Sequence, residues 1–135
     1  METKKVKPIK VELFTLCEGA YNHSGHLTIV NTYDNIAVKQ LPARVSFGLA
    51  LKLYIQPQVE GDKLLTIEIF NDKKENILKE KLQAKIQIER VDSITHVALA
   101  VNFQNVIFTT IGKHDVHLEI DGNKLDNFAF EVLHE

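Results

Sequence analysis

The sequence has few of the residues by which enzymes are usually recognised. Its single cysteine, Cys17, cannot form a disulfide within the chain. Only three serines occur, and none lies in a Gly-x-Ser-x-Gly motif that would present a nucleophile. The six glycines are dispersed instead of forming a phosphate-binding loop, and there is no tryptophan on which a sugar could stack. No catalytic constellation is visible, and we expect the protein not to be an enzyme.

Long apolar runs and a strong charge excess are also missing. No segment approaches the ~20 apolar residues of a membrane span, and the basic N-terminus is not followed by the apolar run of a signal peptide. The formal net charge is −2, whereas nucleic-acid-binding proteins usually carry a basic excess. A lone cysteine fits a reducing compartment. We therefore expect a cytoplasmic protein that binds neither membrane nor nucleic acid.

What the sequence does contain is regular alternation of apolar and polar residues along its 135 residues. Residues 44–56 give the clearest case, because every second residue from Val45 to Ile55 is apolar. A two-residue period places one face of a strand in the core and the other in solvent. Cys17 has the parity of the inward-facing residues in the first such run, which predicts a buried, unreactive thiol. Near the C-terminus, Asp121-Gly122 predicts a hairpin turn.

This pattern predicts an all-β fold in which two antiparallel sheets pack as a sandwich of immunoglobulin-like or related topology, with a closed β-barrel as the alternative. We expect residues 1–8 to be a flexible lead and residues 9–135 to form one domain. We also expect a turn across residues 19–25, and another at Gln104-Asn105 that separates two strands. Residues 76–89 fit a helix or a strand, and Ile86 and Ile88 favour the strand. The lysines at positions 79, 81 and 85 are typical of a protected sheet edge.

The histidines suggest a metal- or ligand-binding site at a loop end of the sandwich. The candidate residues are His23, His26, His114 and His117, which form two pairs spaced three apart. Within one strand that spacing places the two side chains on opposite faces. A zinc site needs three or four convergent ligands, and neither pair supplies them. We therefore predict no metal and no cofactor, and keep ligand binding by these histidines as the alternative function.

The face of residues 44–56 that lies opposite the apolar one carries small side chains, at Ser46, Gly48 and Ala50. Little bulk at such positions indicates a bulge or the close approach of another chain. Sheet faces and edges are also common contact surfaces between proteins. We therefore expect a non-enzymatic binding or protein-interaction module with an unknown protein partner. A homodimer through this small-residue face is one form of that prediction.

Four segments resemble those of a family of small, uncharacterised bacterial proteins classed as a domain of unknown function. The likeness covers roughly residues 9–72. The segments are Leu16-Cys17-Glu18-Gly19-Ala20, Gly25-His26-Leu27-Thr28-Ile29, the long strand after Pro42, and Gly61 with the strand that follows it. The resemblance implies an immunoglobulin-like sandwich. It implies no activity, no cofactor and no catalytic residues.

Overall fold

A computed structural model describes residues 8–57, 59, 61–88 and 93–135. They form nine strands: β1 (Ile9–His23), β2 (His26–Thr32), β3 (Asn35–Val38), β4 (Ala43–Ile55), β5 (Gly61–Phe70), β6 (Leu82–Ile88), β7 (Thr95–Phe108), β8 (Gly112–Ile120) and β9 (Asn123–His134). None of the described residues forms a helix that is long and apolar enough to cross a membrane. The predicted flexible lead lies outside the described residues, apart from Pro8.

The strands form two sheets that pack face to face. Sheet A has the order β2-β1-β4-β7, and sheet B has the order β3-β9-β8-β5-β6. Neighbouring strands are antiparallel except for β3 and β9, which are parallel. The sheets remain separate instead of closing into a barrel. The predicted two-sheet sandwich is therefore confirmed.

The strand order corresponds to that of the immunoglobulin fold. With β1, β4 and β7 as strands A, B and E, sheet A follows the order of the immunoglobulin ABED sheet up to E. With β5, β6, β8 and β9 as strands C, C′, F and G, sheet B follows the opposite sheet. The hairpin of β1 and β2 is added to this immunoglobulin strand order. Sheet A ends at β7 in the described part of the chain.

The centre of sheet A is β4, where the predicted alternation is observed. Its inward side chains include Phe47, Leu49, Leu51 and Leu53, each no more than 2% exposed. Burying one such side chain contributes about 1.5–3 kcal/mol to folding. Because β1 and β7 pair with β4 on its two sides, its backbone is bonded within the sheet as well.

A β-bulge in β7 replaces the predicted turn at Gln104-Asn105. These two residues lie opposite Ser46 of β4 alone, where the register between the strands shifts. Asn105 has a φ of 53°, and its backbone N–H donates to Ser46 Oγ at 3.1 Å. The extra residue moves the inward side from odd to even positions, so that Val106 and Phe108 are buried. The two strands predicted on either side of Gln104-Asn105 are therefore one strand with a bulge.

A second bulge, in β1, changes the surroundings of Cys17. The register against β4 shifts between Val11 and Leu13. Beyond this point Leu16 faces the main core, whereas Cys17 faces the outside of sheet A, next to Gly48. Cys17 is nevertheless fully buried, and this burial raises the pKa of its thiol. The predicted burial is confirmed, but the side chain belongs to a different cluster from the one its parity indicated.

The second half of β1 and all of β2 form a hairpin that covers the outer face of sheet A. The predicted turn across residues 19–25 is wrong, because β1 continues to His23. Only Ser24 and Gly25 form the turn, with φ values of 53° and 84°. Two successive positive φ values are what a two-residue hairpin turn requires.

The hairpin crosses β4 at Gly48. A Cβ atom built on Gly48 would lie 3.1 Å from Gly19 Cα and 2.9 Å from Asn102 Oδ1. Asn102 of β7 also bonds the backbone of Ala20 twice: its Oδ1 accepts from the Ala20 N–H at 3.1 Å, and its Nδ2 donates to the Ala20 carbonyl at 2.8 Å. The hairpin backbone therefore finds hydrogen-bond partners on the sheet beneath it.

The small-residue face predicted at Ser46, Gly48 and Ala50 is thus covered mainly by the chain's own hairpin. Ala50 is 0% exposed and packs with Cys17 and Ala20 in a small second apolar cluster. The close approach indicated by the small side chains occurs at Gly48, but within one chain. A homodimer through this face would have to displace the hairpin, so we correct that choice of surface. Homodimerisation itself stays a prediction.

Residues 76–88 divide into two parts, and Glu89, the last residue of the predicted segment, lies outside the described residues. The preferred strand is confirmed for β6, which begins at Leu82. Residues 77–81 do not form a strand, and Asn76 makes only an isolated bridge to Phe70. Asn76 Oδ1 accepts a hydrogen bond from the Leu78 N–H at 3.1 Å. Such local side-chain bonds compete with strand pairing, which explains why the predicted alternation at Leu78 does not continue as a strand.

Candidate functional site

The histidines proposed as ligands lie in three separate parts of the fold. His23 and His26 are exposed and face each other across the β1–β2 turn. The expectation of opposite faces held for two residues of one strand and does not apply to this pair, because His23 ends β1 and His26 begins β2. Being cross-strand neighbours, they share a side of the hairpin.

His114 lies inside the sandwich. It is 0% exposed, and its ring lies 5.4 Å from the ring of Phe108 and 5.4 Å from that of Phe130. His114 Nδ1 is 3.0 Å from the Gly112 carbonyl, and Nε2 has no hydrogen-bond partner among the described residues. The aromatic contacts make this histidine a packing residue of the core.

His117 lies on the outer face of sheet B, with its ring 5.0 Å from that of Phe70. Its cross-strand neighbours are Glu68 on β5 and Asn127 on β9. Asp115 and Glu119 share this face, as the alternation predicted. Within the described ranges, however, there is no group of three histidine, cysteine or acidic side chains that could hold a metal ion.

A concave surface lies between one edge of each sheet, and we call it the edge groove. One wall is the C-terminal part of β7, residues 103–107, and the other is residues 77–82, which lead into β6. The groove has a volume of about 540 Å³, and Arg44 of β4 lies at its end. Because β7 is the last strand of sheet A and β6 the last strand of sheet B, two sheet edges meet here.

An apolar slot between the two sheets adjoins the edge groove. The slot has a volume of about 50 Å³, and Leu82 lines both cavities. Its other lining residues are Leu65, Ile67, Ala84, Leu99 and Val101. Leu65 and Ile67 are buried, at 1% and 4% exposed, whereas Leu82, Ala84, Leu99 and Val101 are half-buried. Partly exposed apolar side chains of β6 and β7 thus lie between the two sheet edges.

The rim of the edge groove is positively charged. Arg44, Lys79 and Lys81 supply three positive charges and Glu80 one negative charge, a net of +2 on a chain whose net charge is −2. All four side chains are exposed, and no ion pair among the described residues involves them. The groove therefore attracts negative charge in its occupant.

The backbone of β7 is also partly free along this edge. Among the described residues, β4 is the one strand that pairs with β7, so alternate backbone groups point away from the sheet, although Asn22 Nδ2 of the hairpin donates to the Ala98 carbonyl at 2.9 Å. The sequence analysis identified Lys79 and Lys81, on the opposite wall, as edge residues but did not predict the groove. The alternation in β7 is the same whether a strand lies in the middle of a sheet or at its edge, and only the strand order separates the two cases.

The fold and strand order define a class of protein, the immunoglobulin-like β-sandwiches. Within that class, the chain belongs to the family of unknown function DUF6941, whose model matches residues 12–133. The predicted resemblance to a domain of unknown function is thereby confirmed. A comparison with curated proteins finds no match.

Solved structures share the fold at low sequence identity. An alkylpurine DNA glycosylase from Pseudomonas fluorescens, bound to DNA with an abasic site analog, matches 93% of this chain at 12% identity and a TM-score of 0.53. A β-glucosidase from Listeria innocua in complex with glucose matches 93% at 9% identity and a TM-score of 0.51. The chain spans only 30% and 16% of these proteins, respectively. An immunoglobulin-like protein from Pseudomonas aeruginosa matches over 92% of this chain and 95% of its own, at 15% identity and a TM-score of 0.48.

Proposed function

We propose that the protein is a non-enzymatic protein-interaction module whose contact surface is the edge groove. The observation that carries this proposal is the coincidence of an open sheet edge, an apolar slot and a charged rim in one place. Natural proteins usually cover or shorten an edge strand, because its free backbone groups pair readily with other chains. β7 instead runs for 14 residues beside accessible apolar side chains.

The side chains of the groove support binding over catalysis. Its lining consists of apolar residues, amides, Arg44, two lysines and Glu80, with no histidine, cysteine or serine. General-base and nucleophilic catalysis rely mostly on those three residue types. Apolar and amide groups inside a charged rim are instead typical of protein interfaces. The expected absence of membrane and nucleic-acid binding, and the cytoplasmic location, stay predictions.

Site-specific photo-crosslinking in the native cell tests this proposal. A photoreactive residue at Gln104, on the groove wall, should capture the same partner protein in repeated experiments. The matched control carries the photoreactive residue at Lys124, which is equally exposed but lies on β9 of sheet B. Capture of no protein at Gln104, or of the same proteins at both positions, would contradict the proposal.

A further inference from the structure

We propose that β7 accepts an extended segment of a partner protein as an additional strand, whose apolar side chains, at every second position, cover the apolar slot and whose acidic end lies in the edge groove. This inference rests on the proposed function and specifies the chemistry of the partner. Addition of a strand to a free sheet edge is a common mode of peptide recognition, in which backbone bonds supply affinity and side-chain pockets supply specificity.

The strand order shows where the added strand would lie. In constant-type immunoglobulin domains the ABED sheet continues with strand D beyond strand E. β7 corresponds to strand E, and among the described residues no strand lies beyond it. An added strand would therefore occupy the position of strand D and bond to the backbone groups of β7 that β4 leaves free.

The apolar slot indicates one set of side chains on the added strand. Leu99 and Val101 lie two residues apart on β7 and line the slot together with Leu82 of β6. All three are only half-buried. Side chains of a neighbouring strand project toward the same layer at every second position, so apolar residues with that spacing would cover the slot.

The charged rim indicates acidic residues at one end of the added strand. There they would meet Arg44, Lys79 and Lys81, whose positive charges are offset only by Glu80. The bulge at Gln104-Asn105 interrupts the ladder, so pairing should end there, close to the charges.

Titration of the full chain with a short synthetic peptide of alternating valine and glutamate, followed by amide NMR shifts, tests this inference. We expect the shifts to concentrate on β7 and on residues 77–82. The Lys79→Glu/Lys81→Glu variant should weaken binding about tenfold, since it reverses two rim charges. The control variant Lys113→Glu/Lys124→Glu changes the net charge equally, on exposed positions of sheet B, and should bind as the parent chain does.

Two further peptides separate strand addition from charge attraction alone. An alternating valine–lysine peptide should bind at least about tenfold more weakly, because the rim repels it. A valine–glutamate peptide that is N-methylated at alternate residues cannot donate its ladder bonds and should also lose binding. The inference would be overturned if either of these peptides bound as tightly as the unmodified valine–glutamate peptide, or if both charge-reversal variants weakened binding equally. Shifts that map to another surface would also overturn it. If peptide binding fails while crosslinking at Gln104 still captures a partner, strand addition is wrong and the interaction surface stands.

Discussion

Replacing Gly48 with alanine is expected to lower the free energy of unfolding by about 1–3 kcal/mol, because it overpacks the crossing between the hairpin and sheet A. The new Cβ would lie 2.9 Å from Asn102 Oδ1 and 3.1 Å from both Cys17 Sγ and Gly19 Cα. The contact with Asn102 is shorter than real Cβ atoms make, the two at 3.1 Å are unusually tight, and the Gly19 contact is with backbone that cannot turn aside. Urea unfolding followed by far-UV circular dichroism measures the change.

Gly19→Ala is the matched control for this substitution. A Cβ at Gly19 would meet only the ring end of Tyr21, with its nearest atom at 3.2 Å. Tyr21 is 51% exposed, so its side chain has room to move. Although Gly19 is buried, the new methyl would meet a side chain that can move, and a Gly→Ala change also lowers the entropy of the unfolded chain. We therefore expect the free energy of unfolding to fall by no more than about 0.5 kcal/mol. Equal effects of the two substitutions would contradict the placement of the hairpin over Gly48.

Replacing His114 with alanine is expected to lower the free energy of unfolding by about 2–4 kcal/mol, as for other large side chains removed from a core. The ring fills space between Phe108 and Phe130, and its loss would leave a cavity. His114→Phe should cost clearly less than alanine, because it keeps an aromatic ring at this place. The same urea experiment applies to both variants.

His117→Ala provides the comparison on the same strand. His117 lies on the outer face of sheet B and contacts Phe70 edge-on. Its removal should cost less than about 1 kcal/mol, the size of a partly exposed aromatic contact. A larger loss at His117 than at His114 would mean that the inner and outer faces of β8 are assigned the wrong way round.

Alternation predicted the strands well and failed where a strand contains an extra residue. β4 and β8 keep one parity throughout, and their inward residues were assigned correctly. In β1 and β7 a bulge shifts the parity, near Glu12 and at Gln104-Asn105. A single extra residue reverses which side chains face the core. From the sequence alone the bulge at Gln104-Asn105 cannot be distinguished from a turn, because asparagine and glutamine are compatible with both.

The covered face and the edge groove depend on tertiary structure that alternation does not encode. The small side chains at Gly48 and Ala50 indicated close contact, but not that the partner was the hairpin of the same chain. Likewise Lys79 and Lys81 indicated an edge, but the groove also requires β7 to end sheet A. Strand order follows from long-range packing, and a two-residue period is compatible with many orders.

Amide hydrogen exchange, measured by NMR on the isolated protein, tests most directly whether β7 is a free edge. The amides of β4 should exchange slowest, because β1 and β7 flank it on both sides. Between Val97 and Phe103, slow amides that bond to β4 should alternate with fast amides that point away from β4 at the sheet edge. Uniformly slow exchange along this stretch would show that the edge is already covered, and would contradict both the open groove and its role in binding.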